Sequence, residues 1–186
     1  MQNDVRLIVG TAKSDNIANI MVFHQVMISA SSVFAAMLDK YKFNEGHELR
    51  RQGKVDIPLP DDDPKAMGLV CDIIHMRTPE ALHSVDPELL WEVATLIDKY
   101  DFAQAIQPWP AFWAAQQQIQ KIWEKGHDLP LHEVARWVHI CCNLGFAIHF
   151  NKSTSILVQS ANDGDLEEEA FMRYWKVISP AVRGEY

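Results

Sequence analysis

The fold is decided by residues 17–38, which read IANIMVFHQVMISASSVFAAML. The first part, Ile17 to Phe23, is a short apolar run of the kind that forms a β-strand. From His24 onward the apolar residues recur at helical spacing. This change predicts a helix that is interrupted at Ser31 and Ser32, where a hydroxyl can cap a second helical segment.

Two further strands flank this segment. Val5 to Val9 is apolar and β-branched and ends at Gly10, so it predicts a strand that pairs with the 17–23 run as a hairpin. Phe43 to Lys54 is highly charged, contains two glycines, and is interpreted as a loop. Val55 to Leu59 alternates in polarity and predicts a short strand. Because Pro58 has no backbone N–H, that strand should lie at an edge or end of the sheet.

Two helix starts follow in close succession. Asp63 precedes Pro64, and Asp86 precedes Pro87, which in each case places an N-cap residue before a proline at the first helical position. The apolar residues after each start form one helical stripe. The two helices are joined by residues 77–85, so they predict a helical hairpin.

The second half of the sequence has helical patterns only. Pro108 and Pro110 interrupt the chain near residue 109, and Gly126 is a plausible helix stop. The order of two strands, helix, strand and then only helices predicts an α+β fold. We expect a first domain at residues 1–107 and a helical extension at 108–186 that packs on it. The helices expected in the extension span residues 111–125, 131–144, 146–161 and 166–178.

Composition limits the classes of function. The 186 residues carry a formal net charge of −8, which disfavours direct binding to nucleic acids or anionic membranes. Three cysteines in irregular positions indicate free thiols in a reducing compartment. With no apolar signal core at the N-terminus, the sequence favours an intracellular protein in the cytoplasm, the nucleus or both.

Several residues invite a catalytic or metal-binding interpretation. His24 is better explained as the start of a helix, because no nucleophile lies near it in sequence. His139 and Cys142 have a metal-like spacing, but a zinc site needs three or four ligands and only His132 is nearby. The acidic run 61–63 precedes a proline, which favours helix capping over calcium. We therefore expect no enzyme activity, no cofactor and no metal.

Residues 4–106 resemble the BTB/POZ domain, in the form found in fungal proteins. No single motif is decisive, but the order and spacing of the motifs over about a hundred residues make the resemblance fairly specific. The helical tail after Trp109 resembles that of fungal BTB proteins more weakly. The matching segments are Asp4 to Val9, FHQVMISASSVFAAML at 23–38, FNEG at 43–46, VDIPLPDDDP at 55–64, IIH at 73–75 and LWEVATLIDKYD at 90–101.

The resemblance implies a short three-stranded sheet packed with helices and a role in protein–protein interaction. It favours an adaptor or assembly module, with recruitment of substrates to a cullin-type ubiquitin ligase as one such role. The alternative is a transcription- or chromatin-associated subunit that acts through protein partners. Many dimeric members have an extra helix before the first strand, which is not seen before Asp4. We therefore expect a monomer or a weak homodimer.

Seven residues are candidates for partner contacts, either because they lie on the first helix or near loops or because they are tryptophans. Core packing between helices is the favoured alternative for the tryptophans, and we expect Trp109 or Trp113 to be mostly buried where the two parts pack. The candidates are Phe34, Met37, Phe43, Met76, Leu82, Trp109 and Trp113.

Overall fold

The computed structural model describes residues 4–11, 17–77, 85–116 and 129–160. The fold is α+β, with a small three-stranded mixed sheet and eight helices within those ranges. The chain divides into two compact units, Met1–Gln107 and Pro108–Tyr186. The predicted stop at Gly126, the predicted helix at 166–178 and the candidate Leu82 lie outside the described residues.

The sheet belongs to the first unit and has the order β2-β1-β3, with β1 Val5–Val9, β2 Ala18–Val22 and β3 Val55–Leu59. Strand β1 is antiparallel to β2 and parallel to β3, with Leu7 opposite both Ile20 and Ile57. The predicted hairpin is therefore confirmed. The edge position of β3 is confirmed as well, and it explains why Pro58 is tolerated there.

The two faces of the sheet differ in environment. Alternate residues Val5, Leu7 and Val9 are fully buried, as strand geometry requires when one face meets the core. On the opposite face the Arg6 guanidinium binds Asp56 across the strands, with Nε 2.9 Å from Oδ1. This contact holds the pKa of Asp56 below its usual value.

The described part of the first unit also contains five helices. The capping predictions are confirmed, because Asp63 accepts a hydrogen bond from the Ala66 N–H and Asp86 accepts one from the Leu89 N–H, each at 2.8 Å. The last two helices pack against each other as the predicted helical hairpin. The helices are α1 His24–Ala30, α2 Ser32–Met37, α3 Asn44–Gln52, α4 Pro64–Ile74 and α5 Pro87–Tyr100.

The prediction of a loop at Phe43 to Lys54 was wrong, because residues 44–52 form α3. This helix has few apolar residues, but Glu45 lies in its first turn and two arginines lie in its last, where the helix dipole favours them. It ends at Gly53, whose φ of 71° is left-handed. Gly46 is buried against the preceding turn, where an added Cβ would lie 2.2 Å from the Asp39 carbonyl oxygen.

A buried hydrogen-bond chain joins three parts of the first unit. The Ser31 hydroxyl accepts from the Phe34 N–H at 3.0 Å and donates to the Tyr100 carbonyl at 2.5 Å. The Tyr100 hydroxyl in turn donates to Asp62 at 2.5 Å, and Lys99 pairs with the same carboxylate at 2.6 Å. The chain therefore links the α1–α2 junction, the end of α5 and the turn between β3 and α4.

An aromatic cluster surrounds this chain. The Phe34 ring lies 5.0 Å from the Tyr100 ring and 5.9 Å from the Phe102 ring, measured between centroids. Phe34 and Phe102 are fully buried. Aromatic contacts of this kind add about 0.5–1.5 kcal/mol to the free energy gained by burial.

The second unit is helical in its described part, with α6 Trp109–Gln116, α7 Leu131–Leu144 and α8 Ala147–Ser160. Helices α7 and α8 pack against each other across a turn at Gly145, whose φ is 75°. Trp113 and Trp137 are buried, as the core interpretation of the tryptophans predicts. None of the described helices is long and apolar enough to cross a lipid bilayer.

The Ser31 hydroxyl should be important for stability. We expect Ser31→Ala to lower the free energy of unfolding by about 1–3 kcal/mol, because it removes a helix cap and leaves the Tyr100 carbonyl without its donor. Urea denaturation followed by circular dichroism measures this. Ser29→Ala is the matched control, since the Ser29 hydroxyl is exposed and donates only within its own helix. Equal losses in the two variants would contradict the role of Ser31.

Trp113 tests how firmly the extension is packed. Because its side chain is fully buried, we expect Trp113→Ala to cost about 3–5 kcal/mol in unfolding free energy. The packing of the extension on the first unit stays a prediction. If it is right, both units should unfold in a single transition in the wild type and in the variant. A cost below about 1 kcal/mol would instead indicate a loosely packed site.

Candidate protein-docking site

The structure brings two of the candidate residues onto one surface. Met37 and Phe43 line the same concave surface, at the end of α2 and the start of α3. Met76 lies at the end of α4, where 93% of its surface is exposed. Trp109 belongs to the second unit, where it is half-buried and its ring makes an edge contact with Phe112.

Two candidates are corrected by their burial. Phe34 is fully enclosed by the first unit and offers no surface to a partner. It was a candidate because it lies on the first predicted helix, and the sequence pattern alone does not show which side of that helix meets the core. Trp113 is likewise fully buried.

The concave surface beside α2, here called the α2–α3 groove, has apolar walls. Phe43 is 51% exposed, and Val33, Ala36 and Met37 are half-buried along one side of α2. Ser32 and Glu45 complete the lining, and the groove encloses about 410 Å³. This volume falls within the range of about 300–1,000 Å³ that is usual for ligand pockets.

Helix geometry explains why α2 supplies this wall. Phe34 and Leu38 are four residues apart, so they share one face of the helix, and both are buried. Val33, Ala36 and Met37 have the same three- and four-residue spacing and therefore share a different face. The Ser31 hydrogen bonds hold α2 in the rotation that turns the first face inward and leaves the second available.

The short connection after α2 places Phe43. Its turn is closed by the Asp39 side chain, which accepts from the Tyr41 N–H at 2.9 Å, and by the Asp39 carbonyl, which accepts from the Lys42 N–H at 3.1 Å. Phe43 follows in an extended conformation as the N-cap residue of α3. Gly46 has no side chain to keep α3 away from the Asp39 carbonyl, so the start of α3 packs closely against this turn.

The groove has an acidic edge. Among the described residues Glu45 has no cationic partner. At the other end the Ser32 hydroxyl donates to the exposed Asp101 carboxylate at 2.7 Å. The nearby cations Lys40 and Arg50 instead lie over the Tyr41 ring, 4.9 and 5.8 Å from its centroid.

A second surface feature is the end of α4, which the sequence analysis noted only as a loop flank. The His75 ring donates from Nδ1 to the Cys71 carbonyl at 2.7 Å and accepts at Nε2 from the Phe23 N–H at 3.1 Å. The next residue, Met76, has a left-handed φ of 58°. His75 therefore holds the α4 end to the junction of β2 and α1, with Met76 projecting beside it.

His24 begins α1, as predicted, and its partner is Asp4. The Asp4 carboxylate accepts from the His24 N–H at 2.8 Å and contacts the His24 Nδ1 at 2.5 Å. The pair joins the start of β1 to the start of α1. Sequence reasoning did not find this partner because twenty residues separate the two.

The described residues show no grouping suited to metal binding or to thiol chemistry. No cluster of three or more His, Cys, Asp or Glu side chains in the described ranges is placed to hold a metal ion. Burial raises the pKa of the Cys71 and Cys141 thiols to about 12, so neither forms a thiolate near neutral pH. The Asp63 carboxylate caps α4, as predicted for the acidic run.

Burial lowers the pKa of His149, and Lys152 lowers it further. Two other histidines also titrate below their usual range. Burial lowers the pKa of His75, and Arg77 lowers it further, while the Cys71 carbonyl and Asp72 act in the opposite direction. Burial also lowers the pKa of His139 to about 4. In both cases the folded state favours the neutral ring, so protonation opposes folding.

Comparison with known proteins does not assign the chain to a family. No family model matches the chain, and no curated protein matches it.

The depressed pKa of His75 predicts a pH dependence of stability. A group with a lowered folded pKa binds protons more readily when unfolded, so its contribution is complete above about pH 6.5 and is lost as the pH falls through the folded pKa. We expect the urea midpoint to fall between pH 7.5 and pH 5. His75→Gln, which does not titrate, should reduce this fall, whereas the exposed His47→Gln should not. An equal fall in His75→Gln and wild type would exclude the role of His75.

Proposed function

We propose that this chain is a protein-interaction adaptor of the BTB/POZ type. The observed order of elements supports this proposal, since two strands, two short helices, a further helix, an edge strand and a helical hairpin follow one another in the first unit. The segments that resemble the family lie on β1, on α1 and α2, on β3 and on α5. The proposal therefore draws on both the sequence resemblance and the α+β arrangement.

The observation that carries the proposal is the α2–α3 groove. Aromatic residues and methionine are enriched at protein interfaces, and the groove presents one of each, Phe43 and Met37. Methionine adapts its shape to different partners because its side chain is unbranched and flexible. An exposed phenylalanine beside a half-buried apolar wall gains free energy when a partner excludes water from both.

Partner binding is also consistent with the chemistry of the described residues. The raised pKa of the two buried thiols makes them poor nucleophiles near neutral pH. Of the histidines with a lowered pKa, His75 makes a structural hydrogen bond and His139 is buried. Within the proposal, cullin-type scaffolds are one class of partner and a transcription or chromatin assembly is another. In either role the chain would contribute binding surface and no chemical step.

A comparison of two double variants tests the proposed function. Met37→Ser with Phe43→Ser removes the apolar groove, and Ile148→Ser with Val158→Ser removes two exposed apolar side chains of α8. We expect the first pair to lose most partners that wild type captures from lysate, as measured by quantitative mass spectrometry. The second pair should retain them. Thermal melts by circular dichroism establish that both variants are folded.

Retention of the same partners by both double variants would show that the groove does not serve as the docking surface. Capture of purified cullin-type scaffold by wild type, and its loss in the groove variant, would assign the chain to the ubiquitin ligase role. Capture of chromatin subunits with the same dependence would assign it to the alternative role.

A further inference from the structure

We infer that the α2–α3 groove binds a basic amphipathic segment of a different protein and not a second copy of this chain. This inference rests on the proposed function and specifies the chemistry of the partner. It follows from the charges at the groove edge, from the symmetry that self-association would impose, and from the shape of the apolar walls.

The carboxylates at the groove are available for a cationic partner. Glu45 lines the groove and has no cationic partner among the described residues. Asp101 is exposed, and the only described partner of its carboxylate is the Ser32 hydroxyl, a neutral donor, so the negative charge has no cationic partner among the described residues. Glu45 lines the groove directly, and Asp101 is bonded to Ser32, which also lines it, so lysine or arginine side chains beside an apolar anchor would meet these carboxylates.

The neighbouring cations do not cancel this charge. Lys40 and Arg50 are engaged with the Tyr41 ring, and Lys42 lies 3.8 Å from the Asp39 carboxylate. Lys40 and Arg50 also line a separate concavity together with Leu49 and Gly53, away from the α2 wall. With a net charge of −8, the chain as a whole would accelerate the approach of a basic partner.

Self-association through the groove would repeat these charges against themselves. A symmetric dimer uses the same patch on both copies, so residues of one groove meet residues of the other. Glu45 and Asp101 would then face a second acidic edge in a contact that excludes water. Juxtaposed like charges cost several kcal/mol at an interface, which disfavours the homodimer and favours a basic partner.

The apolar walls suit a helix with spaced anchors. Val33, Ala36 and Met37 form a single helical strip, and Phe43 stands across from it. A partner helix can place side chains at positions i, i+3 or i+4, and i+7 into such a groove. Its flanking positions would then carry the lysine or arginine residues that pair with Glu45 and Asp101.

Two designed peptides provide the probe. Each is a fluorescein-labelled 16-residue helix with leucine and phenylalanine anchors at helical spacing, and the flanking positions are lysine in one and glutamate in the other. Fluorescence anisotropy with the full chain measures Kd at 50 and 300 mM NaCl. We expect the lysine peptide to bind at least about tenfold more tightly at low salt, and this advantage to shrink at high salt.

Charge-reversal variants locate the effect. Glu45→Lys should weaken binding of the lysine peptide by about tenfold and strengthen binding of the glutamate peptide. Glu48→Lys is the matched control, because Glu48 lies on the same helix but lines a different concavity, beside Arg6 and Asp56. It should leave both Kd values within about twofold of wild type.

The outcomes separate the inference from the function on which it rests. If both peptides bind equally well and Phe43→Ser abolishes both, the groove docks partners but has no preference for basic ones, and the inference fails while the proposed function stands. If neither peptide binds, or if Glu48→Lys acts as Glu45→Lys does, the inference also fails. A tight homodimer in light scattering that Phe43→Ser dissociates would overturn it as well.

Discussion

The arrangement of the first unit depends on the Ser31 hydroxyl. It occupies the break between α1 and α2, where it accepts from the Phe34 N–H and donates to the Tyr100 carbonyl. The two bonds have different effects. The bond from the Phe34 N–H caps the first turn of α2, and the bond to the Tyr100 carbonyl holds that turn against the end of α5. A buried hydroxyl without these partners would cost about 1–3 kcal/mol, so the two bonds restrict α2 to one rotation.

That rotation gives α2 its two roles. Phe34 and Leu38 enter the core, while Val33, Ala36 and Met37 form the wall of the groove. A helix of only six residues has little intrinsic stability, because forming the first turn is unfavourable. The groove therefore depends on the core contacts of the opposite face of α2, and a change at Ser31 would affect both.

The Asp62 carboxylate connects the end of α5 to the turn that follows strand β3. It is almost fully enclosed and is held by the Tyr100 hydroxyl and the Lys99 ammonium. Burial and this neighbouring carboxylate raise the pKa of Tyr100, so the phenol remains a donor. Only the Asp62 side of this ion pair is buried, because the Lys99 side chain is 43% exposed. The contact therefore adds little net stability, but it fixes where the β3–α4 turn meets α5.

The sequence predicted the elements whose signals are local. The alternating strands, the Asp-Pro helix starts and the break at Ser31 each depend on a few adjacent residues. Helix α3 was missed because its stability comes from charges at its ends and from the fit of Gly46 against Asp39, and neither leaves an apolar pattern. Met37 and Phe43 were identified as candidates, but their position across one groove depends on the fold. Phe34 was named as a candidate for partner contact but is buried. Helical periodicity shows which residues share a face of a helix, but it does not show which face meets the core.

The two exposed features of the first unit differ in what they can contribute to binding. In the groove, Met37 is already half-buried and Phe43 is held by the backbone at the start of α3, so a partner finds these side chains largely ordered. Met76 has a left-handed backbone conformation, and its side chain is 93% exposed. Immobilising that side chain against a partner would cost about 0.5–1.5 kcal/mol. A partner would therefore lose less side-chain entropy by docking in the groove than by docking on Met76.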